Sequence, residues 1–366
     1  MKSKILKILL YSIGGILVLF LALVGILFHK SPGKAQPIVD ANGQVVEGSI
    51  STIEKIMLGG QEQYMIIRGV STDNPVMLFL HGGPGSPEFP FMKNYNTDIE
   101  NDFVMVYWEQ RGAGKSYSKD IPAETMNLEQ FISDTGELSE YLAKRFDQEK
   151  IYVMGHSWGS LLGILSANKY PERFHAYFGI GQVAQQFLGE KISFEWVKKQ
   201  AHQRNDTDAI KALSEMKFPD TTANSSEWMN FLLNERKYVT EFGGAMRGMT
   251  GMWPMINMLV NAEEYTVSDK INYMQGSLFS LTHLWSDVIG ANLFVEIDSM
   301  QVPVYIFQGL QDYQTPYVVA KDFYDQLKAP EKELFTFTNS AHSPLMEEVD
   351  KFNSIIRGKV NGNKRE

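Results

Sequence analysis

The feature that most constrains the fold is a series of short, unbroken apolar runs along the chain. They are Val76–Leu80, Phe103–Trp108, Ile151–Met154, Tyr177–Ile180, Val304–Phe307 and Leu334–Phe337. Runs this short, without polar alternation, are typical of strands buried on both faces of a parallel sheet. Helical patterns at Leu128–Phe146 and Leu161–Tyr170 lie between them. The sequence therefore predicts an α/β domain built on a mostly parallel central sheet.

Two segments depart from this alternation. Ser51–Leu58 and Gln63–Arg68 flank a Gly-Gly pair and predict a β-hairpin. Residues 182–295 contain no convincing buried strand, and helical patterns such as Trp228–Phe242 dominate there. We interpret this segment as a helical cap inserted between two strands. The predicted organisation is a core of residues 49–181 and 296–358, a cap of residues 182–295 and a linker of residues 31–48.

The N-terminal run Ile8–Phe28 contains no charged side chain. A helix of that length spans the roughly 30 Å hydrocarbon core of a bilayer. A cleaved signal peptide is the alternative, but its apolar region is about 7–15 residues long and ends at a small-x-small site. The run here is longer, and His29-Lys30-Ser31-Pro32 follows it. We therefore predict that residues 1–30 form an uncleaved single-pass anchor with a transmembrane helix at about 8–28.

The lysines that flank this run predict its orientation. Lys2, Lys4 and Lys7 precede it, whereas Lys30 and Lys34 follow it. Positive charges are retained on the cytoplasmic side, so this bias favours an N-terminus inside the cell. The remaining chain would then lie outside the cytoplasm, attached to the cell membrane.

Composition excludes several classes of function. Charged residues make up 21% of the chain and the formal net charge is −9, so nucleic acid, which needs clustered Lys and Arg, is a poor candidate partner. The chain has no Cys, which excludes thiolate nucleophiles and Cys-based zinc sites. It also has no HExxH motif and no clustered His. We therefore expect no metal and no cofactor, and composition does not indicate an oligomeric state.

The pentapeptide Gly155-His156-Ser157-Trp158-Gly159 fits the pattern G-x-S-x-G. It follows a predicted strand and opens a predicted helix, which is the context that this motif requires. A sharp turn there exposes the serine hydroxyl at the carboxyl edge of the sheet, and the helix N-terminus favours a developing oxyanion. The pattern predicts Ser157 as a nucleophile.

A serine hydroxyl needs a base to take its proton, and the base needs an acid to orient it. His342 follows the last predicted strand, where a base is expected, whereas His202 and His283 fall inside the cap. Asp312 lies in the loop after Val304–Phe307. Its rivals are less well placed, since one precedes that strand and the other lies on the next helix. These rivals are Asp298 and Asp322.

Two backbone N–H groups are expected to form an oxyanion hole. Trp158, the residue after the nucleophile, supplies one of them. The other comes from the loop after Val76–Leu80, which reads His81-Gly82-Gly83-Pro84-Gly85, and we assign it to Gly83. His81 itself is interpreted as structural, paired with backbone in the loop.

Four segments together resemble the α/β-hydrolase superfamily, and within it the proline iminopeptidase-like group. They are HGGPG at 81–85, WEQRGAGKS at 108–116, GHSWGS at 155–160 and NSAHSP at 339–344. The resemblance implies the α/β-hydrolase fold and the same catalytic residues. It also implies that Arg111, Gly112, Gly114 and Ser116 shape the site. The chain has Glu109 where this group usually has Asp.

The resemblance further implies a serine hydrolase that cleaves small peptides or amides through an acyl-enzyme. A carboxylesterase or lactonase with the same triad is the alternative, because fold analogy does not settle the substrate. A non-catalytic binding protein on this scaffold is disfavoured, because all three triad residues are present in order. An aminopeptidase would need acidic cap residues, such as Glu190, to hold the free amine of its substrate. The candidates are Glu190, Glu195, Glu235, Glu241, Glu263 and Glu264.

Overall fold

A computed structural model describes residues 2–248, 251 and 253–363 of the chain. Its centre is an eight-stranded sheet with the order β1-β2-β4-β3-β5-β6-β7-β8. The strands are β1 Ile50–Leu58, β2 Gln61–Gly69, β3 Val76–Leu80, β4 Val104–Glu109, β5 Ile151–His156, β6 Phe174–Ile180, β7 Val304–Gly309 and β8 Lys332–Phe337. Five of the six apolar runs lie wholly in β3 and β5 to β8, and the run Phe103–Trp108 begins one residue before β4, so the predicted strands are present.

Strands β3 to β8 run parallel, whereas the hairpin β1–β2 joins β4 in antiparallel pairing. Alternate residues of β3 enter two separate apolar clusters. Val76, Leu78 and Leu80 belong to one cluster, and Met77 and Phe79 belong to the other. The sheet is therefore covered on both faces, which explains why its strands read as unbroken apolar runs.

Helices cover both faces of the sheet. α3 Leu128–Arg145, α4 Trp158–Lys169 and α11 Tyr317–Gln326 contribute buried residues to the first cluster. α2 Phe89–Tyr95 and α13 Val349–Asn363 contribute to the second. The short helix α12, Pro344–Glu347, lies in the loop region after β8. Helices packed on both faces leave the carboxyl edge of the parallel strands to carry the functional loops.

The segment between β6 and β7 is helical, so the expected cap insertion is present. Its helices are α5 Gln186–Gln203, α6 Thr207–Glu215, α7 Ser225–Glu241, α8 Trp253–Asn261, α9 Val267–Gly290 and α10 Leu293–Glu296. Both α7 and α9 begin with a capping box, formed by Asn224 with Glu227 and by Thr266 with Asp269. Aromatic side chains, including Phe194, pack among these helices.

The chain begins with a long helix, α1, at Lys2–His29. Its segment Leu10–His29 is long and apolar enough to cross a membrane, and none of that window is buried inside the protein. A signal sequence has the same properties.

Candidate active site

Ser157 lies in the tight turn between β5 and α4. Its backbone has φ 56° and ψ −122°, a left-handed conformation that is rare for a residue with a side chain. Two glycines make the turn possible. A Cβ on Gly155 would lie 2.0 Å from the carbonyl oxygen of Gly159, and a Cβ on Gly159 would lie 1.9 Å from the carbonyl oxygen of Leu80. The strand, turn and helix expected around Ser157 are therefore present.

Asp312 and His342 meet in the loops that follow β7 and β8. Nδ1 of His342 donates to Oδ2 of Asp312 at 2.8 Å, and both side chains are buried. The carboxylate also accepts hydrogen bonds from the backbone of Gln314 and Thr315 and from the amide of Gln308. This pairing leaves Nε2 of His342 free to face a reacting group.

The alternative bases and acids lie elsewhere. His202 is exposed on α5, and His283 uses Nδ1 to donate to the carbonyl oxygen of Phe279 on its own helix. Asp298 is almost fully exposed beside Lys328, and Asp322 is exposed on α11. Among the residues weighed from the sequence, the structure brings together Asp312 and His342, whose roles as acid and base stay a prediction.

The end of β6 lies between Ser157 and His342. The N–H of Ser157 donates to the carbonyl oxygen of Ile180 at 2.9 Å. The next residue, Gly181, has φ 54°, and a Cβ there would lie 2.8 Å from Nδ1 and Cε1 of His342. The serine backbone and the imidazole ring therefore approach the same short stretch of chain.

The proposed oxyanion loop follows β3 and contacts the turn at Ser157. A Cβ on Gly82 would lie 3.0 Å from the Cβ of Ser157, and Gly83 has φ 116°. Trp158 is the first residue of α4. These positions suit the two expected N–H donors, Gly83 and Trp158, whose role stays a prediction.

Gln110 connects the proposed oxyanion loop to the turn at Ser157. Its side chain accepts a hydrogen bond from the indole N–H of Trp158 and donates to the carbonyl oxygen of His81. Burial lowers the pKa of His81 to about 4, so this ring is neutral at neutral pH. Nδ1–H of His81 donates to the carbonyl oxygen of Gly82, and Nε2 accepts from the backbone N–H of Gln110. His81 thus pairs with backbone, which is consistent with a structural role.

Sequence reasoning missed a second buried pair, Glu88 and His156. Oε1 of Glu88 lies 2.7 Å from Nδ1 of His156, and Nε2 of His156 lies 2.9 Å from the carbonyl oxygen of His342. The rings of His156 and His342 are 4.7 Å apart. A His at the variable position of G-x-S-x-G was a possible signal, but its partner Glu88 belongs to no motif.

Both acceptors around His156 favour the imidazolium form. A carboxylate and a carbonyl only accept hydrogen bonds, so both ring nitrogens must carry a proton to satisfy them. Burial lowers the pKa of His156, but the charge and hydrogen bond of Glu88 outweigh this, and the pKa is raised overall. The His156 ring therefore links Glu88 to the backbone of His342 through one hydrogen bond on each nitrogen.

Arg111 connects the WEQRGAGKS segment to its surroundings. Its guanidinium forms a buried ion pair with Asp134 on α3 and donates to the carbonyl oxygens of Leu58 and Gly59. Ser116 donates to the backbone of Glu109 and accepts from the N–H of Tyr64. These contacts fasten the hairpin to the core and suit the predicted shaping role.

The six candidate cap glutamates divide into two sets. The side chains of Glu195, Glu241 and Glu263 are exposed, whereas those of Glu190, Glu235 and Glu264 are buried. Glu264 pairs with Lys93 at 2.7 Å. The other two buried glutamates share a single cation, Arg236.

Glu190 lies beside the loop that carries Asp312. The amide of Gln186 donates both to Oε1 of Glu190 and to the carbonyl oxygen of Gln314. Oε2 of Glu190 is buried without a hydrogen-bond partner in the structure. Burial raises the pKa of Glu235, although Arg236 opposes this effect.

A metal site is not evident in the part of the chain that the structure describes. Within residues 2–248, 251 and 253–363, His, Asp and Glu form no group of three or more that could hold a metal ion. The buried carboxylates at the site are instead paired with His or Arg.

Comparisons with known proteins agree with this fold. A family model of the alpha/beta hydrolase fold matches residues 75–349. The chain is 33% identical to a probable aminopeptidase, YbaC, of Bacillus subtilis over 312 residues, covering 84% of this chain and 96% of that protein. It is 24% identical to a proline iminopeptidase of Lactobacillus acidophilus, covering 87% of this chain and 99% of that protein.

Solved structures share the fold at low sequence identity. The proline iminopeptidase of Mycobacterium smegmatis superimposes with a TM-score of 0.63 at 16% identity, covering 85% of this chain and 98% of that one. An epoxide hydrolase of Bacillus megaterium superimposes with a TM-score of 0.52 at 18% identity, covering 84% of this chain and 100% of that one.

Proposed function

Because this chain belongs to the α/β-hydrolase family and is proline iminopeptidase-like, we propose that it is a serine aminopeptidase anchored in the membrane. The observation that carries the proposal is the buried pair of Asp312 and His342, which meets the strained turn of Ser157 at the end of β6. The buried carboxylates of the cap support the aminopeptidase preference.

The triad supports an acyl-enzyme mechanism. Oγ of Ser157 would attack the scissile carbonyl while Nε2 of His342 takes its proton. Asp312 would hold the ring with its proton on Nδ1 and stabilise the cation that forms. The N–H groups of Gly83 and Trp158 would donate to the oxyanion. His342 would then protonate the leaving amine, and water would release the acyl group by the reverse sequence.

Mutation of the nucleophile tests this mechanism. Ser157→Ala should reduce turnover by more than about a thousandfold and leave circular dichroism and the melting temperature near those of the wild type. A fluorophosphonate probe should label the wild type and leave the variant unlabelled. Retention of more than about one per cent of the activity would remove Ser157 from this role.

The cap cluster would select substrates with a free amine. Glu190 and Glu235 carry two negative charges around the one positive charge of Arg236 when all three are ionised. An ammonium group bound beside them would balance the remaining charge. A charge-assisted hydrogen bond of this kind contributes about 1.5–3 kcal/mol, or roughly ten- to a hundredfold in kcat/KM.

Paired substrates test the amine site. Glu190→Gln should lower kcat/KM for a proline or alanine anilide and leave that for the N-acetylated anilide nearly unchanged. Glu195→Gln is the matched control, because its carboxylate is exposed on the same helix. If the wild type already prefers blocked anilides or short acyl esters, the aminopeptidase proposal fails and a carboxylesterase or lactonase replaces it.

The anchor is a separate part of the proposal. Its support is the apolar segment Leu10–His29 of α1, with Lys4 before it and Lys30 after it. We expect the full chain to resist extraction from membranes at alkaline pH, and protease added outside intact cells to digest the catalytic domain. Release of a shortened, soluble chain after synthesis would show that α1 is a cleaved signal.

A further inference from the structure

The segment that leaves α1 is bound to the cap. We define residues 30–36 as the tether. Lys270 on α9 donates through Nζ to the carbonyl oxygen of Lys30 at 3.0 Å and to Oγ of Ser31 at 2.7 Å. The backbone N–H of Lys34 donates to the carbonyl oxygen of Glu263, and Pro32 forms a β-bridge with Thr266. The cap is therefore held at the point where the chain leaves its N-terminal helix.

These contacts limit how far α8 can lie from a membrane that contains α1. The apolar segment ends at His29, and an extended chain covers at most about 3.6 Å per residue. Nζ of Lys30 donates to Oδ1 of Asn261 at 2.7 Å, and Nζ of Lys270 also donates to the carbonyl oxygen of Val260. The end of α8 thus lies within about 10 Å of the hydrocarbon edge, at the depth of the lipid headgroups.

The face of α8 that meets Lys30 also exposes large apolar side chains. Ile256, Asn257 and Asn261 follow Trp253 at spacings of three, four and eight residues, so they flank it on the same side of α8. Trp253 is 74% exposed and Ile256 is 40% exposed. The opposite side of α8 buries Met258 and Leu259 against the core. The exposed face therefore points away from the core, and its Asn261 end contacts Lys30 of the tether.

We propose that this face of α8 inserts into the headgroup region of the same bilayer that holds α1. The inference rests on the proposed membrane anchor. Trp is a residue typical of this depth, because its ring is apolar and its N–H can bond to headgroups. The tether favours the bilayer as the occupant, because the hydrogen bonds of Lys30 and Lys270 hold the end of α8 close to the end of α1.

The net charge of the exported domain indicates that apolar contacts, and not electrostatic attraction, would hold α8 in the bilayer. Residues 31–366 contain 30 of the 34 basic residues and all 43 acidic ones, because Lys2, Lys4, Lys7 and Lys30 precede them, so their formal charge is −13. Anionic lipids would repel such a domain. α8 should therefore insert at least as deeply into pure phosphatidylcholine as into bilayers that also contain anionic lipids.

Single-cysteine variants test this contact, because the chain has no native Cys. The full chain would be reconstituted into phosphatidylcholine vesicles, with Ile256→Cys carrying an environment-sensitive fluorophore and with doxyl-labelled lipids as quenchers. Leu233→Cys on α7 and Val295→Cys on α10 are matched controls, since both side chains are apolar and more than 70% exposed. Lipid quenching at position 256 should exceed that at either control at least threefold.

The outcomes separate the two proposals. A chain that does not float with vesicles would refute the membrane anchor itself. A chain that floats but shows equal quenching at positions 256, 233 and 295 would overturn only the insertion of α8. Disulfide cross-linking between copies through position 256, without lipid quenching, would instead identify this face as a contact between two copies and would also overturn it.

Discussion

The core and the cap both hold the catalytic histidine candidate, but they do so with different groups. From the core, the carboxylate of Asp312 and the ring of His156 bind His342. From the cap, the carbonyl oxygen of Ala245 accepts the backbone N–H of His342, and that of Gly244 accepts the N–H of Tyr313. Asp312 and His342 could be predicted from their positions after strands, whereas the backbone contacts from the cap depend only on the path of the chain and leave no sequence signature.

The largest effect is expected from the core acid. Asp312→Asn keeps the shape of the side chain but can present an N–H to Nδ1 of His342 and favour the wrong tautomer. We expect kcat/KM to fall by about a thousand- to ten-thousandfold with little change in stability. Asp298→Asn is the control, because that side chain is exposed. A comparable loss in the control variant would contradict the assignment of Asp312.

A smaller effect is expected from the second pair in the core. Glu88→Gln removes the charge that raises the pKa of His156, and a neutral ring has one N–H to share between residue 88 and the carbonyl oxygen of His342. We expect kcat to fall about ten- to a hundredfold, since a buried charged hydrogen bond is lost.

The protonation of His156 provides a separate readout. Its pKa is raised in the folded protein, so its stabilising contribution is complete below the unfolded value of about 6.5 and is lost as pH rises through the folded value. NMR titration should show the His156 pKa lowered in Glu88→Gln. An unchanged His156 titration would mean that Glu88 does not set its charge, and activity loss would then need another cause.

A change in the cap should have a milder effect on activity. A Cβ on Gly244 would lie 2.7 Å from the ring of Trp196, which stacks on Tyr313 at 3.9 Å. Gly244→Ala should therefore shift the cap loop, lower stability by about 1–3 kcal/mol and lower kcat/KM roughly tenfold. Gly290→Ala is the matched control, because a Cβ there has open space. Equal activity in both variants would show that the cap loop does not position the site.

The smallest effect on activity is expected at Glu109, a carboxyl group that contacts both the core and the cap. The main effect there should be on stability. Glu109 accepts hydrogen bonds from the backbone of Lys115 in the core and from the hydroxyl of Tyr265 in the cap. Burial raises the pKa of Glu109 to about 7 in the folded protein, from an ordinary value of 4.5. The folded state thus holds the proton more strongly, and stability should fall as pH rises between these values, by up to about 3 kcal/mol.

Denaturation at several pH values checks this. The free energy of unfolding of Glu109→Gln should lack the fall between pH 4.5 and 7 that Glu109 causes in the wild type. Glu215→Gln, at an exposed position on α6, should keep the wild-type dependence. Identical pH profiles for the wild type and Glu109→Gln would show that Glu109 titrates normally.

The sequence by itself determined the sheet and showed which loops carry the candidate catalytic residues. Apolar runs could be read as strands because a sheet covered on both faces leaves them no polar side. Ser157 could be predicted as the nucleophile because a strained turn of this kind needs glycine on both sides, and five consecutive residues show that pattern. Asp312 and His342 followed from their places after strands, since parallel strands bring their carboxyl ends to one edge.

Only the tertiary structure decided which partners surround these residues. Glu88 and His156 are 68 positions apart, and the cap carboxylates Glu190 and Glu235 became distinguishable from exposed ones only by burial. The contact of Lys270 with the tether joins residues about 240 positions apart. A local pattern reports the conformation of its own few residues, whereas the burial of a charge and the choice of its partner depend on segments that only folding brings together.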